Sequence, residues 1–276
     1  MIVFPNCKIN LGLRILRKRQ DGYHDLETIF FPIPVLDILE IRISPEKDGE
    51  VNFTQSGFPI AGPIAENSCV KAYQLLKNRF PLLKSVDVHL HKNIPTGAGL
   101  GGGSADSVFM INGLQALFQL SLSQDDLAAL SLQLGSDCPF FLLNKPAIAE
   151  GRGEILKELT LSLKGYHLLL INPGITISTA AAFKGCKPDL EGRSLASIIQ
   201  QPITTWKEDL KNQFEDSIFK QFPELSSIKE ALYAEGAIYA SMSGSGSTLF
   251  GIFPENTPRP DRLMQTYSWT RWMKLS

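Results

Sequence analysis

Only four cysteines occur in 276 residues. Cys7, Cys69, Cys138 and Cys186 stand far apart, with no C-x-x-C pair and no histidine at ligand spacing. This scarcity excludes a structural zinc site and a disulfide framework, and it leaves the thiols as small buried hydrophobes of a reducing compartment. Long apolar runs are missing too. No stretch of 18 apolar residues is present, and no signal or Arg-rich transit segment is visible, so a cytoplasmic location without a membrane partner is expected. Charge of one sign is not in excess. Lys and Arg together number 27 against 28 Asp and Glu, a net −1 that gives no electrostatic case for nucleic acid. Repeats and low-complexity tracts are absent, and nothing signals an oligomeric state. The length and the 43% hydrophobic content suit one large domain or two modest ones. A composition shift near 155–165 divides the chain into 1–158 and 159–276.

What the chain does have is glycine, concentrated in one place. Residues 94–107 read Ile94-Pro95-Thr96-Gly97-Ala98-Gly99-Leu100-Gly101-Gly102-Gly103-Ser104-Ala105-Asp106-Ser107. Glycine lets the backbone take positive φ and lets a ligand approach the main chain. Before this stretch, Val86, Val88 and Leu90 alternate with Asp87, His89 and His91 as in a half-buried strand. After it, Ser104 is a candidate N-cap, and Val108, Phe109, Ile111, Leu114, Leu117 and Phe118 continue as a buried helix. Strand, glycine loop and helix N-terminus together make a cradle for phosphate. Gly97, Gly99 and Gly102 satisfy G-x-G-x-x-G, but that pattern alone is weak. The dinucleotide-binding version needs a second strand soon after the helix, where Ser123-Gln124-Asp125-Asp126 instead opens another helix. A Walker A loop needs Lys before Ser or Thr, where Ser104-Ala105 stand, and H-R-D and D-F-G do not occur. The apolar, patterned flanks argue against a flexible linker.

From Lys8 to Leu13 polar and apolar residues alternate, so Lys8 and Asn10 share one strand face, which local pattern alone reads as solvated. Leu26–Ile33 and Asp37–Ile43 are expected to be further strands of the same sheet, and 46–65 a loop. Glu66-Asn67-Ser68 caps a helix, and the helix opened at Ser123 ends near Gly135. Phe140–Leu143 reads as a short buried strand, leaving Asp137 pinned between a helix end and an apolar segment. Ala149–Glu154 is a tight turn, 167–174 a strand with its turn, Ser178–Phe183 a helix start and 211–235 amphipathic helix. The strands 237–240 and 249–253 bracket a second small-residue loop, Ser241–Ser247.

Three blocks of this sequence resemble the three motifs of the GHMP small-molecule kinases: Pro5–Asn10 with Asp21-Gly22-Tyr23-His24, Ile94–Ser107, and Ser241–Thr248. The likeness runs from about residue 4 to 253. Within it, D-G-Y-H, L-G-S-D-C-P-F-F and A-E-G-R-G-E resemble one group of that family, whose substrate is a cytidine diphosphate-linked methylerythritol of non-mevalonate isoprenoid synthesis. The resemblance implies an α+β, two-layer fold with a ribosomal-protein-S5-like N-terminal domain and a ferredoxin-like C-terminal domain. It implies transfer of the ATP γ-phosphoryl to a substrate hydroxyl, with Mg²⁺ carried by the nucleotide and no metal held by the protein. By resemblance Asp137 takes the hydroxyl proton and Lys8 polarises that hydroxyl. Pro95, Gly97, Gly99, Leu100, Gly101, Gly102, Gly103, Ser104 and Ser107 hold the ATP phosphates, and Asn67 and Lys92 sit by the adenosine. Asn10 holds the substrate, and Tyr23, His24 and Phe183 receive its cytosine between aromatic rings. The chain departs from the family where Asn6 and Cys7 replace small residues such as Ala. A homoserine or mevalonate kinase would share the glycine loop but has no use for D-G-Y-H. A silent nucleotide-binding regulator has no use for Lys8 with Asp137. The last twenty residues, with Trp269 and Trp272, match none of these motifs.

Overall fold

The computed structural model describes residues 1–45 and 50–275. In chain order its strands are β1 (Ile2–Val3), β2 (Asn6–Lys18), β3 (His24–Leu36), β4 (Ile38–Ile43), β5 (Val51–Gly57), β6 (Val86–Lys92), β7 (Ala147–Glu150), β8 (Ile155–Glu158), β9 (Tyr166–Asn172), β10 (Tyr239–Met242), β11 (Leu249–Pro254) and β12 (Trp269–Lys274). The first five α-helices are α1 (Ser68–Arg79), α2 (Gly102–Phe118), α3 (Gln124–Leu134), α4 (Cys138–Leu143) and α5 (Thr179–Lys184). Among the described residues, helices and strands paired into three sheets make an α+β fold. The chain forms two compact units that interleave along the sequence: 1–8, 32–96 and 101–145 in the first, and 9–31, 97–100 and 146–276 in the second.

The first unit is a four-stranded sheet in the order β1-β4-β6-β5. β4 pairs antiparallel with β6, and β5 runs parallel to β6. The inward residues Leu39, Ile41, Val86, Val88 and Leu90 meet Tyr73, Leu76, Met110, Ile111, Leu114 and Leu130 of α1–α3 in one buried cluster. Asn67 caps α1 by accepting from the Cys69 N–H, and Ser123 and Asp126 form a reciprocal capping box on α3.

Several expectations are corrected here. β5 occupies part of the segment expected to be a loop. Its period-2 pair Val51 and Phe53 packs inward while Asn52 and Thr54 face out, a signal masked by the surrounding Gly, Pro and charge. Residues 46–49 of that expected loop lie outside the described residues. β3 and β4 belong to different sheets, because β3 pairs with β7 and β4 with β6. Cys138–Leu143 is helical rather than a strand. A short apolar run fits either state, and Pro139 in the first turn carries the φ of a helix start. The cap of α2 is Gly101 rather than Ser104. Gly101 holds φ +70°, the left-handed region that a side chain resists, and the helix starts three residues earlier than a cap at Ser104 would place it.

The second unit contains the sheet β10-β11-β9-β12 and most of the sheet β2-β3-β7-β8, of which residues 6–8 and 32–36 belong to the first unit. Their inner faces, with helices Glu215–Gln221 and Pro223–Ala234, share a core of Leu13, Ile15, Leu169, Ile171, Ile218, Leu225, Ile228, Leu249 and Phe253. The last twenty residues complete the second sheet. β12 lies antiparallel on β9, and Trp272 stacks on His167 with ring centroids 4.9 Å apart. No helix among the described residues is long and apolar enough to cross a membrane.

Candidate active site

In the first unit a buried cation meets a carboxylate beside the glycine loop. Lys8 lies on β2 with 3% of its side chain exposed, and its Nζ stands 3.3 Å from Asp137 Oδ2. The strand face that local pattern reads as solvated is therefore interior, since both faces of β2 are covered from Asn6 to Leu13. Asp137 sits at the N-cap position of α4 yet makes no side-chain cap bond, so its carboxylate is not spent on the helix. Asn6, one of the departures from the family pattern, exchanges amide hydrogen bonds with Asn144 at the other end of α4, at 2.9 and 3.1 Å. Cys7, the other departure, is buried, and burial pushes its thiol up to about 12, which leaves it chemically inert.

Gly101 adjoins this pair. A Cβ placed on it would lie 3.1 Å from Lys8 Cε and 2.9 Å from Phe141 Cζ. From Gly102 the α2 backbone begins, and the first N–H groups of a helix have no intrahelical acceptor. Gly102, Gly103 and Ser104 supply such groups at the positive end of the helix dipole. The Ser107 hydroxyl donates to Ser104 O and contacts Cys138 Sγ at 3.4 Å. Asn67 is buried and committed to capping α1. Lys92 is also buried, its ammonium held between Asp37 and Asp106 at 2.5 and 2.8 Å.

That carboxylate pair has an electrostatic consequence. Burial opposes the Lys92 charge, but Asp106 and Asp37 outweigh it and the ammonium is strengthened. Asp106 is pushed up to about 7, by burial first and by Asp37 in addition, against the pull of Lys92. A carboxyl that binds its proton more tightly folded than unfolded stabilises least where it must ionise. Stability is therefore lost as pH rises from the ordinary Asp range through 7. Asp106→Asn is expected to remove this dependence, on the order of a few kcal/mol between pH 4 and pH 8. Thermal melts of both proteins across that range check it. A stability gap that does not widen with pH contradicts the assignment.

In the second unit the three sequence blocks meet at one hydroxyl. Ser243 Oγ donates to Gly99 O at 2.8 Å and receives the Asn10 N–H at 3.3 Å. Gly99, at φ +77°, has no room for a side chain, since a Cβ would stand 2.0 Å from Ser243 O. The Thr248 N–H donates to Ala98 O, and Asn10 Nδ2 donates to Thr28 Oγ1. Leu100 is buried, whereas Gly97 is exposed at φ +63° with open space around it.

Two residues of this network were not singled out by the sequence. Asn212 donates to Met242 O and Gly244 O at 2.7 and 2.8 Å, clamping the turn that carries Ser243. Glu215 accepts from Ser241 Oγ and the Met242 N–H. Both come from a stretch read only as amphipathic helix, and no local pattern distinguishes them from surface amides and acids.

The aromatic group is arranged differently from the expected sandwich. His24 stacks on Phe183 with centroids 4.9 Å apart and planes 16° apart, and Phe183 meets Phe214 edge-on. Tyr23 stands apart on the hairpin turn, 55% exposed, with the Arg152 guanidinium 4.7 Å from its ring centroid. Burial, then the nearby Lys18 charge, lowers the pKa of His24 and favours its neutral ring.

The chain matches two family models, "GHMP kinases N terminal domain" over residues 67–145 and "GHMP kinases C terminal" over 194–263. It is 51% identical over 258 residues, 93% of this chain and 94% of the other, to a Bacteroides thetaiotaomicron protein named 4-diphosphocytidyl-2-C-methyl-D-erythritol kinase. A Cytophaga hutchinsonii protein of the same name is 47% identical over 92% of both chains. Among solved structures, one of 4-(cytidine 5'-diphospho)-2C-methyl-D-erythritol kinase superposes with a TM-score of 0.84 at 32% identity, covering 100% of this chain and 99% of that one. The Methanococcus jannaschii mevalonate kinase superposes with a TM-score of 0.70 at 12% identity, covering 100% and 98%, a likeness of fold alone.

Proposed function

The chain belongs to the GHMP kinases, and within them to the family of 4-diphosphocytidyl-2-C-methyl-D-erythritol kinases, and from this premise we propose how its residues carry out the transfer. It is an ATP-dependent kinase that phosphorylates the 2-hydroxyl of 4-diphosphocytidyl-2-C-methyl-D-erythritol, a step of non-mevalonate isoprenoid synthesis that we place in the cytoplasm. The observation that carries the mechanism is the Lys8–Asp137 pair against Gly101.

Phosphoryl transfer has a loose transition state, so the protein mainly positions groups and neutralises charge. Asp137 accepts the proton of the substrate hydroxyl while the Lys8 ammonium stabilises the oxygen that is becoming nucleophilic. The new oxygen–phosphorus bond forms as the bond to the β–γ bridging oxygen breaks, and ADP leaves with that oxygen. The N–H groups at the start of α2 hold the phosphate oxygens. No group of three or more His, Cys, Asp or Glu among the described residues could hold a metal ion, and the one loop carboxylate, Asp106, is engaged by Lys92. Mg²⁺ would be carried by the nucleotide, where it would supply neutralising charge. Asn10 orients the polyol, and Tyr23, His24 and Phe183 form the cytosine subsite.

ATP consumption measured in parallel with the cytidine diphosphate substrate, homoserine and mevalonate tests the reading. Turnover with the first alone is expected, and turnover with either of the others in its place refutes it. The cytosine subsite has its own test in Tyr23→Ala, which removes an exposed ring without disturbing the core. Loss of a stacking surface worth about 1–3 kcal/mol is expected to raise the KM of the cytidine substrate by about one to two decades. The KM of ATP should not move. An unchanged substrate KM would remove Tyr23 from the site.

A further inference from the structure

The loop that cradles phosphate is gripped at both ends by one buried ionic cluster. Asp37, between β3 and β4, is fully buried. Its Oδ1 accepts the N–H groups of Asn93 and Ile94 at 2.6 and 2.9 Å, the residues that lead into the loop. Its Oδ2 accepts from Lys92 Nζ at 2.5 Å. The same ammonium donates to Asp106 Oδ2 at 2.8 Å, in the second turn of the helix that leaves the loop. It also packs beneath the first helical residue, since a Cβ on Gly102 would stand 3.2 Å from Lys92 Nζ.

Such a cluster is a poor device for stability. Two carboxylates and an ammonium lose most of their hydration here, and well-packed apolar replacements of buried ion pairs are often neutral or stabilising. What it supplies is register. One buried ammonium, held by a carboxylate on each side, fixes the spacing between the residues before the glycines and the helix turn after them, and the glycines themselves cannot fix it because their backbones are the most permissive in the chain.

We propose that Asp37, Lys92 and Asp106 are positioning residues for the nucleotide, clamping the two ends of the glycine loop so that its N–H groups are set for the phosphates. Lys92 then acts through the loop and not by touching adenosine. The inference rests on the reading of this loop as the ATP site.

The sign of one substitution separates the clamp from simple electrostatics. Removing an acidic side chain near a polyanion site strengthens polyanion binding on Coulomb's law alone. Loosening the clamp weakens it. Calorimetric titration of the full chain with ATP, and separately with the cytidine diphosphate substrate, is the experiment. For Asp106→Ala the ATP Kd is expected to rise about tenfold while the other Kd stays within about twofold. Asp106→Asn keeps an oxygen for Lys92 and is expected to bind ATP within about threefold of the wild type. Melting temperatures measured alongside should not fall in step with affinity. An ATP Kd for Asp106→Ala at or below the wild-type value overturns the proposal, as does an equal loss for both ligands accompanied by lower stability. Asp106→Leu, apolar and of similar size, stands in if Asp106→Ala does not fold. Failure of both to fold, against a folded Asp106→Asn, would assign the cluster to folding alone and also overturn the proposal. A wild-type protein without ATP affinity would instead refute the kinase reading.

Discussion

Asp137→Asn is expected to fold, to bind ATP as the wild type does, and to lose about 10²–10⁴-fold in kcat, the range for removing a general base. Folding should survive because the side chain caps nothing and is about one-third exposed, and because the amide oxygen of Asn can still receive Lys8 Nζ. ATP binding should survive because the loop and the start of α2 are untouched. The loss falls on kcat, since proton acceptance matters in the transition state and little in the ground state. Steady-state kinetics with both substrates, together with an ATP titration of the mutant, decide the matter. Near-wild-type turnover in a folded Asp137→Asn would mean that the hydroxyl proton leaves by another route. A large rise in the ATP Kd would mean that the carboxylate serves the loop rather than the reaction.

Much of this site was legible in the sequence because its parts are backbone-driven. Five glycines in seven positions between an alternating strand and an apolar helix announce a loop that needs backbone conformations closed to other residues, and the conformation has them. Gly97, Gly99 and Gly101 all take positive φ, and Gly101 caps α2. The juxtaposition of Lys8 and Asp137 was not legible from local pattern, since neither periodicity nor spacing reaches across so much intervening chain; only the family resemblance pointed to it. What stayed hidden has a common physical character. β5 and α4 are short segments in which propensity is weak and tertiary packing decides. Asp37, Asn212 and Glu215 are buried polar residues whose partners are main-chain groups far away in sequence. Such residues look like surface residues until the fold closes over them. The His24–Phe183 stack belongs to the same class, because ring-on-ring contact between a hairpin turn and α5 leaves no periodic trace.

Gly101→Val is expected to abolish measurable ATP binding, or to weaken it by two decades or more, while the cytidine substrate binds far less changed. Two costs act together. At φ +70° a β-branched residue is a steric outlier, and holding one there costs on the order of 1–3 kcal/mol. The added carbon atoms also enter space held by Phe141 Cζ at 2.9 Å and Lys8 Cε at 3.1 Å. Relief requires moving the start of α2, and a shift of about 1 Å in positioned groups is enough to cost about 10²-fold. Gly97→Ala supplies the control. Gly97 has comparable φ, +63°, but nothing lies within 4 Å of the point a Cβ would occupy, so it carries the backbone strain without the collision. Its ATP affinity is expected to fall by about one decade at most. Calorimetry on the two ligands separately, with melting curves to establish folding, reads all of this. Equal losses at Gly97 and Gly101 would reduce the effect to backbone strain. Equal losses for ATP and the cytidine substrate in a folded Gly101→Val would mean that the loop does not hold the nucleotide.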